Sequence, residues 1–120
     1  MPSDRPARSL EDIIENVEAI RGCTAGMDAA AFSEDRKTCD AVERCLERIS
    51  EAAAKLGELA SVLVPDQPWP DIRALGNRLR HEYHDIREDR LWGIVKINLP
   101  PRCAACEDAL RQLREAQGSR

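Results

Sequence analysis

Aromatic side chains are scarce: Phe32, Trp69, Tyr83 and Trp92 are all the chain has in 120 residues. A core built from it must be mostly aliphatic, and Trp69 and Trp92 read as packing anchors near helix ends, not as base-stacking platforms, with Trp69 partly exposed beside two prolines. A long apolar run is also missing. The longest, Leu59 to Val64, is far too short to span a bilayer, and the opening MPSDRPARS has no apolar core of the kind a secretory signal needs. The expected setting is the cytoplasm, with no membrane partner. Positive charge is not in excess: the net charge is -4, which argues against a general basic coat for nucleic acid. A local patch remains open, because between Asp71 and His81 three arginines face one acid. Five cysteines, an odd number at irregular spacing, do not form a disulfide framework and are expected to stay reduced. Strand-like alternation, internal repeats and low-complexity segments are all lacking.

What is present is helix-former composition, rich in Ala, Leu, Glu and Arg, with 33% charged residues. The length suits one domain over 1–120, able to bury roughly two-thirds of its unfolded surface, with 1–8 as a flexible N-terminus. Ser9 precedes Leu10, Ile13, Ile14, Val17 and Ile20, a helical stripe. Ser9 with Asp12 suggests a capping box, and Gly22 and Gly26 supply stops. Ser33 is placed to cap a second, longer helix with the stripe Cys39, Val42, Leu46, Ile49, Ala53, Leu56 and Ala60. VPDQPWPD then breaks the chain. Pro70 suits the first turn of a third helix, NLPP breaks the chain again, and a last helix is expected from about Arg102 to Glu115. Short connections favour antiparallel neighbours. The fold class is therefore an all-α, up-and-down bundle of four to five helices.

The third helix carries the segment NRLRHEYHD, residues 77–85, with both histidines and the only tyrosine of the chain. With Asn77 at zero and 100° per residue, Arg73, Arg80, His84 and His81 fall at about -40°, -60°, -20° and +40°. Ile72, Leu75, Leu79 and Ile86 lie opposite, near 180°, and are expected to form the buried ridge. A polar face on a surface helix is usually only solvated. This one has no Lys, Glu or Asp at its centre, unlike the ion-paired mixtures of ordinary faces. Imidazole exchanges protons near neutral pH, guanidinium grips phosphate with two prongs and stabilises charge developing on it, and Asn77 can fix an oxygen or orient an imidazole. No acidic cluster stands nearby for magnesium, and two histidines alone make a poor zinc site. The set suits metal-free phosphodiester cleavage with no cofactor, in which a ribose 2′-hydroxyl attacks phosphorus. That chemistry needs RNA as substrate.

NRLRHEY resembles the H-x-Y end of the R-x4-6-H-x-Y motif of HEPN-domain ribonucleases, and most closely the HepT-like toxins. The likeness extends to AGMDAAAFSEDRKTCDAVERCLERISEAAAKL, to PWPDI and to LWGIVKINLPP, and covers residues from about 9 to 101. The resemblance implies a HEPN helical bundle and a homodimer with its motif helices facing across a shared cleft. It implies a metal-independent endoribonuclease toxin, and a minimal nucleotidyltransferase antitoxin that transfers AMP to the motif tyrosine. By position, His81 is then the catalytic histidine, Tyr83 the AMP acceptor, and Asn77 the polar residue four places before the histidine. The family's arginine usually stands five residues before the histidine, where this chain has Gly76. Arg80 is the expected surrogate cation, with Arg73, Arg78 and His84 as further substrate contacts. The departure at Gly76 keeps two other readings open: a catalytically silent HEPN module that binds a nucleotide or a nucleotidyltransferase, and a purely structural helical dimer subunit. CAAC at Cys103 and Cys106 invites a zinc or redox reading, but both fall on one stripe with Leu110 and Leu113 and read as core. Cys39 reads the same way, and Cys23 has no assigned role.

Overall fold

The computed structural model describes residues 4–81 and 87–118, and among them every regular element is a helix. Four long helices carry the core: α1 (Asp4–Thr24), α3 (Arg36–Leu56), α5 (Trp69–His81) and α7 (Leu99–Gly118). Short helices stand between them: α2 (Ala29–Glu34), α4 (Leu59–Leu63) and α6 (Glu88–Gly93). In space α3 lies against both α1 and α5, and α1 against both α3 and α7. The stripes read from the sequence are the ones buried: Leu10, Ile13, Val17 and Ile20 on α1, and Cys39, Val42, Leu46, Ile49, Ala53 and Leu56 on α3. Branched aliphatic side chains at spacings of three and four place one continuous apolar seam on each helix, which is why so few rings suffice. Among the described residues, no helix is long and apolar enough to cross a membrane.

The helix boundaries differ from the sequence expectation in instructive places. The first helix begins at Asp4, so Ser9 is buried inside α1 instead of capping it, and residues 4–8, read as a tail, are its first turns. The chain leaves α1 after Thr24, whose hydroxyl donates to the Ile20 carbonyl at 2.9 Å, and Gly26 turns it with φ 78°. Gly22, the other expected stop, is still helical. Carboxylates rather than Ser33 cap the next two helices. Asp28 accepts from the Ala31 amide at 2.8 Å and Asp35 from the Thr38 amide at 3.0 Å. That Thr38 hydrogen bond holds the Asp35 carboxyl below its ordinary range. Ser33 lies within α2, and Gly57, at φ 56°, ends α3 before Ala60, which is buried in the separate α4.

The largest difference is at NLPP. Instead of a break, α6 passes through a π-helical turn, Ile94–Asn98, directly into α7. Pro100 and Pro101 cannot donate to the carbonyls four residues back, and their rings would crowd those carbonyls in a regular α-helix. The wider turn, in which the Leu99 amide donates to the Ile94 carbonyl, is how the run accommodates them. Trp69 is fully buried, not partly exposed, and its indole Nε1 donates to the Val64 carbonyl at 2.8 Å. Trp92 packs on Phe32 with ring centroids 5.1 Å apart.

Candidate active site

The motif helix α5 is anchored at its start by buried Trp69, continues through Pro70, whose missing amide costs nothing in a first turn, and has Asp71 near the positive end of its dipole. Arg78, Arg80 and His81 lie in the last described turn of α5. Tyr83, His84 and Ile86, the outer part of the expected site, lie outside the described residues.

Within the described part, the buried stripe is Trp69, Ile72, Gly76 and Leu79. It is turned by about 60° from the ridge expected on ideal-helix angles: Gly76 faces inward, and Leu75 moves to the half-buried edge. The cause is a close approach between α5 and α3. A Cβ on Gly76 would overlap the Cβ and Oγ of Ser50, far inside van der Waals contact, and the same Ser50 hydroxyl donates to the Arg73 carbonyl at 3.2 Å. Gly76, where the resemblance would place an arginine, therefore opens the way to a neighbouring helix of the same chain.

The polar residues divide accordingly. Asn77, Arg80 and His81 are exposed, whereas Arg73 and Arg78 are half-buried. Asn77 stands four residues before His81 and Arg78 stands three before it, so both are neighbours of His81 on the helix surface. Arg80 leans back along the helix, and its Nη1 comes within 3.6 Å of the point where a Gly76 Cβ would sit. Among the described residues, neither Arg80 nor His81 is tied up in an ion pair. Exposed imidazole, amide and guanidinium on one rigid helix can bind an anion and move a proton beside it.

A second feature had only a faint sequence signal. Arg102 falls on the buried stripe of α7 with Leu99, Cys103 and Cys106, and a charge set into such a stripe is unusual. It lines a cleft between α5 and the α6–α7 run. Cys103 and Cys106 are core, as their spacing indicates; burial first, then neighbouring negative charge, pushes their thiols up to about 11 and about 12.

An all-α bundle presenting a histidine and arginines on an exposed helix face is the architecture of the HEPN class. The model of the family described as Ribonuclease HepT-like matches residues 13–109, and the chain belongs to that family. Among similar proteins is one from Methanocaldococcus jannaschii, named as an RNase by inference, 33% identical over 94% of this chain and 93% of its own. Another is "Probable ribonuclease HepT" of Thermococcus cleftensis, 35% identical over 76% of this chain and 83% of its own. No solved structure matches.

Proposed function

We propose that this member of a ribonuclease family cleaves RNA phosphodiester bonds without a metal, as the toxin of a toxin–antitoxin pair, in a homodimer whose α5 helices face each other. The observation that carries the reading is the exposed Asn77, Arg80 and His81 set on α5, within the residues that the family model matches. One His81 accepts the proton of the ribose 2′-hydroxyl as its oxygen attacks phosphorus. The partner's copy of the same imidazole protonates the departing 5′-oxygen, so a two-fold pair supplies both base and acid. The products are a 2′,3′-cyclic phosphate and a 5′-hydroxyl end. Arg80 stabilises the charge on the phosphorane oxygens, and Asn77 orients the imidazole or a phosphate oxygen. Tyr83, outside the described residues, is assigned as the acceptor of AMP from a minimal nucleotidyltransferase partner. The added phosphodiester brings negative charge into the cleft that substrate phosphate must enter.

The test is cleavage of a mixed RNA in EDTA by the wild type and by His81→Ala, with sedimentation of both at micromolar concentration. Cleavage lost in the variant and a dimer in both are expected. A monomer that cleaves as well as any dimer would refute the shared cleft. One observation favours a second reading, a silent HEPN module: the motif arginine is replaced by Gly76. A wild type that cleaves no RNA but binds a nucleotidyltransferase would establish it.

A further inference from the structure

The cleft between α5 and the α6–α7 run encloses about 400 Å³ and lies away from the exposed polar face of the motif helix. Arg102 lines it although only 6% of that residue is exposed. Its Nε donates to Gln67 Oε1 at 3.3 Å, and among the described residues its two terminal nitrogens have no partner. Among the described residues no side-chain nitrogen is sealed away without one, so those nitrogens open to the cleft they line. Burial pushes the Arg102 guanidinium below its ordinary range, but such a group stays protonated. A guanidinium stripped of most of its water is normally matched by a carboxylate, because its lost hydration is otherwise uncompensated. Here, among the described residues, the only hydrogen-bond partner is a neutral amide. Asp71 also lines the cleft, yet no ion pair joins it to Arg102 or to Arg90 among the described residues.

The rest of the lining fits an anion with an apolar attachment. Exposed Arg90 adds a second cation and Asn98 an amide, while Ile94 and Ile97 supply apolar wall, Ile97 being 72% exposed. Gly93, Ile94, Ile97 and Asn98 belong to the π-helical turn and its first flank. The widened turn rotates Ile97 and Asn98 away from their places on a regular α-helix, a device that recurs at binding sites. Asp71 and Leu75 on the opposite wall stand ten and six residues before His81. At 1.5 Å per residue that is about 9 to 15 Å along the axis, a few nucleotides of stacked strand at ~3.4 Å each.

We propose that this cleft is a phosphate-binding subsite in which Arg102 and Arg90 hold a phosphodiester of the RNA a few nucleotides from the bond cut at His81, with an adjoining base against Ile94 and Ile97. The strand's identity rests on the ribonuclease reading; the recognition of phosphate does not.

The test uses the full-length chain and a 2′-O-methyl oligonucleotide, which cannot be cleaved, with inorganic phosphate and 5′-AMP as separate arms read by thermal protection. Arg102→Gln should weaken oligonucleotide binding about tenfold to a hundredfold, as expected for losing a desolvated charge-assisted contact. The log–log salt dependence should become shallower by about 0.7 for one lost single-strand phosphate contact. Arg102→Lys should recover part of the affinity. Should Arg102→Gln fold poorly, Arg90→Gln, which changes an exposed side chain, carries the same test with a smaller loss. Protection by phosphate or AMP that depends on Arg102, with oligonucleotide binding unchanged, would overturn the RNA assignment and leave a mononucleotide site. Arg102-dependent oligonucleotide binding by a chain that cleaves nothing would support the subsite and retire the ribonuclease reading. His81-dependent cleavage with unchanged binding in both arginine variants would do the reverse.

Discussion

Replacing Gly76 by alanine should destabilise the protein, against the helix propensity of the two residues. In an exposed helix interior the change is worth about 1 kcal/mol in favour of alanine. At this position the new Cβ falls onto both Cβ and Oγ of Ser50; a rotamer change can move the Oγ aside but not the Cβ, which is fixed to the α3 backbone. Separating α5 from α3 enough to admit it belongs at the upper end of overpacking costs, about 3 kcal/mol. The net loss is then about 2 kcal/mol, or roughly 8 °C in melting temperature at ~4 °C per kcal/mol for a domain of this size. Ala74, exposed two residues earlier, provides the benchmark, since Ala74→Gly should cost about 1 kcal/mol by propensity alone. Melting followed by far-ultraviolet circular dichroism reads all of these. The cause is isolated by Ser50→Gly, which clears both overlapping atoms, whereas Ser50→Ala keeps the Cβ and should not rescue. The Gly76→Ala, Ser50→Gly double mutant should show a favourable coupling of about 3 kcal/mol, the whole of the relieved overpacking. Gly76→Arg, which restores the family's residue, should be at least as destabilising and should add no cleavage. If Gly76→Ala raises stability by the propensity difference, the close packing of α5 on α3 is wrong.

Three further predictions concern the cation, the tyrosine and the buried thiols. Arg80→Ala should reduce RNA cleavage by about 10² to 10³ without lowering the melting temperature, while Arg78→Ala and Arg73→Ala reduce it less; a dead Arg78→Ala beside an active Arg80→Ala moves the role of the cation to Arg78. On the proposed reading, Tyr83→Phe should retain some cleavage and resist inactivation by a nucleotidyltransferase partner; mass spectrometry locating AMP on another residue, with activity lost all the same, would refute the assignment. Cys103 and Cys106 have folded values of about 11 and about 12, above the ordinary 9.0, so the folded chain holds these protons more tightly than the unfolded one. Their contribution to stability is complete below about pH 9 and is lost as pH rises through the folded values. Melting temperature should therefore fall from about pH 9 upward, less steeply in Cys106→Ala, while exposed Cys23 alone reacts quickly with thiol reagents near neutral pH; equal slopes in the two proteins would refute this.

The seams of α1 and α3 were legible because burial on one side writes itself into spacing: Leu10, Ile13, Val17 and Ile20 could not all be exposed at once. Boundaries were less legible. Asp28 and Asp35 are as good N-caps as Ser33, and the choice among them depends on where Phe32 packs, which spacing does not reveal. The prolines at 100 and 101 forbid regular α-helical hydrogen bonds but not a wider turn, and no local rule distinguishes a break from a π insertion. The rotation of α5 was hidden for a related reason. Ideal angles rank residues by side-chain hydropathy, and a glycine has none, so Gly76 could not be recognised as the centre of the buried face until Ser50 stood opposite it. His81 and Asn77 fall on the exposed side under either orientation. Arg102 was missed because an arginine in a stripe of cysteines and leucines reads as an exception to the stripe, when it is a buried charge facing a cleft.

The departure at Gly76 and the placement of Arg80 belong to one arrangement. An arginine at position 76 would have to emerge between two helices that Ser50 and Gly76 allow to lie close together. One turn later the chain has left the tightest part of that seam, and Arg80 is exposed. Side chains on a helix lean toward its N-terminus, so a long residue at i+4 covers the surface above residue i. Arg80 does this, with Nη1 at 3.6 Å from the missing Cβ. On the proposed reading, the cation reaches the surface above position 76 from a backbone position that packing leaves free. Its placement then depends on how closely α5 lies on α3. A bulkier residue at Ser50, such as valine, should therefore lower cleavage through Arg80 although it touches neither substrate nor His81. That loss should be smaller when measured in an Arg80→Ala background, because the group being displaced is no longer there. Equal losses in the two backgrounds would mean that Ser50 acts on the site by some route other than Arg80.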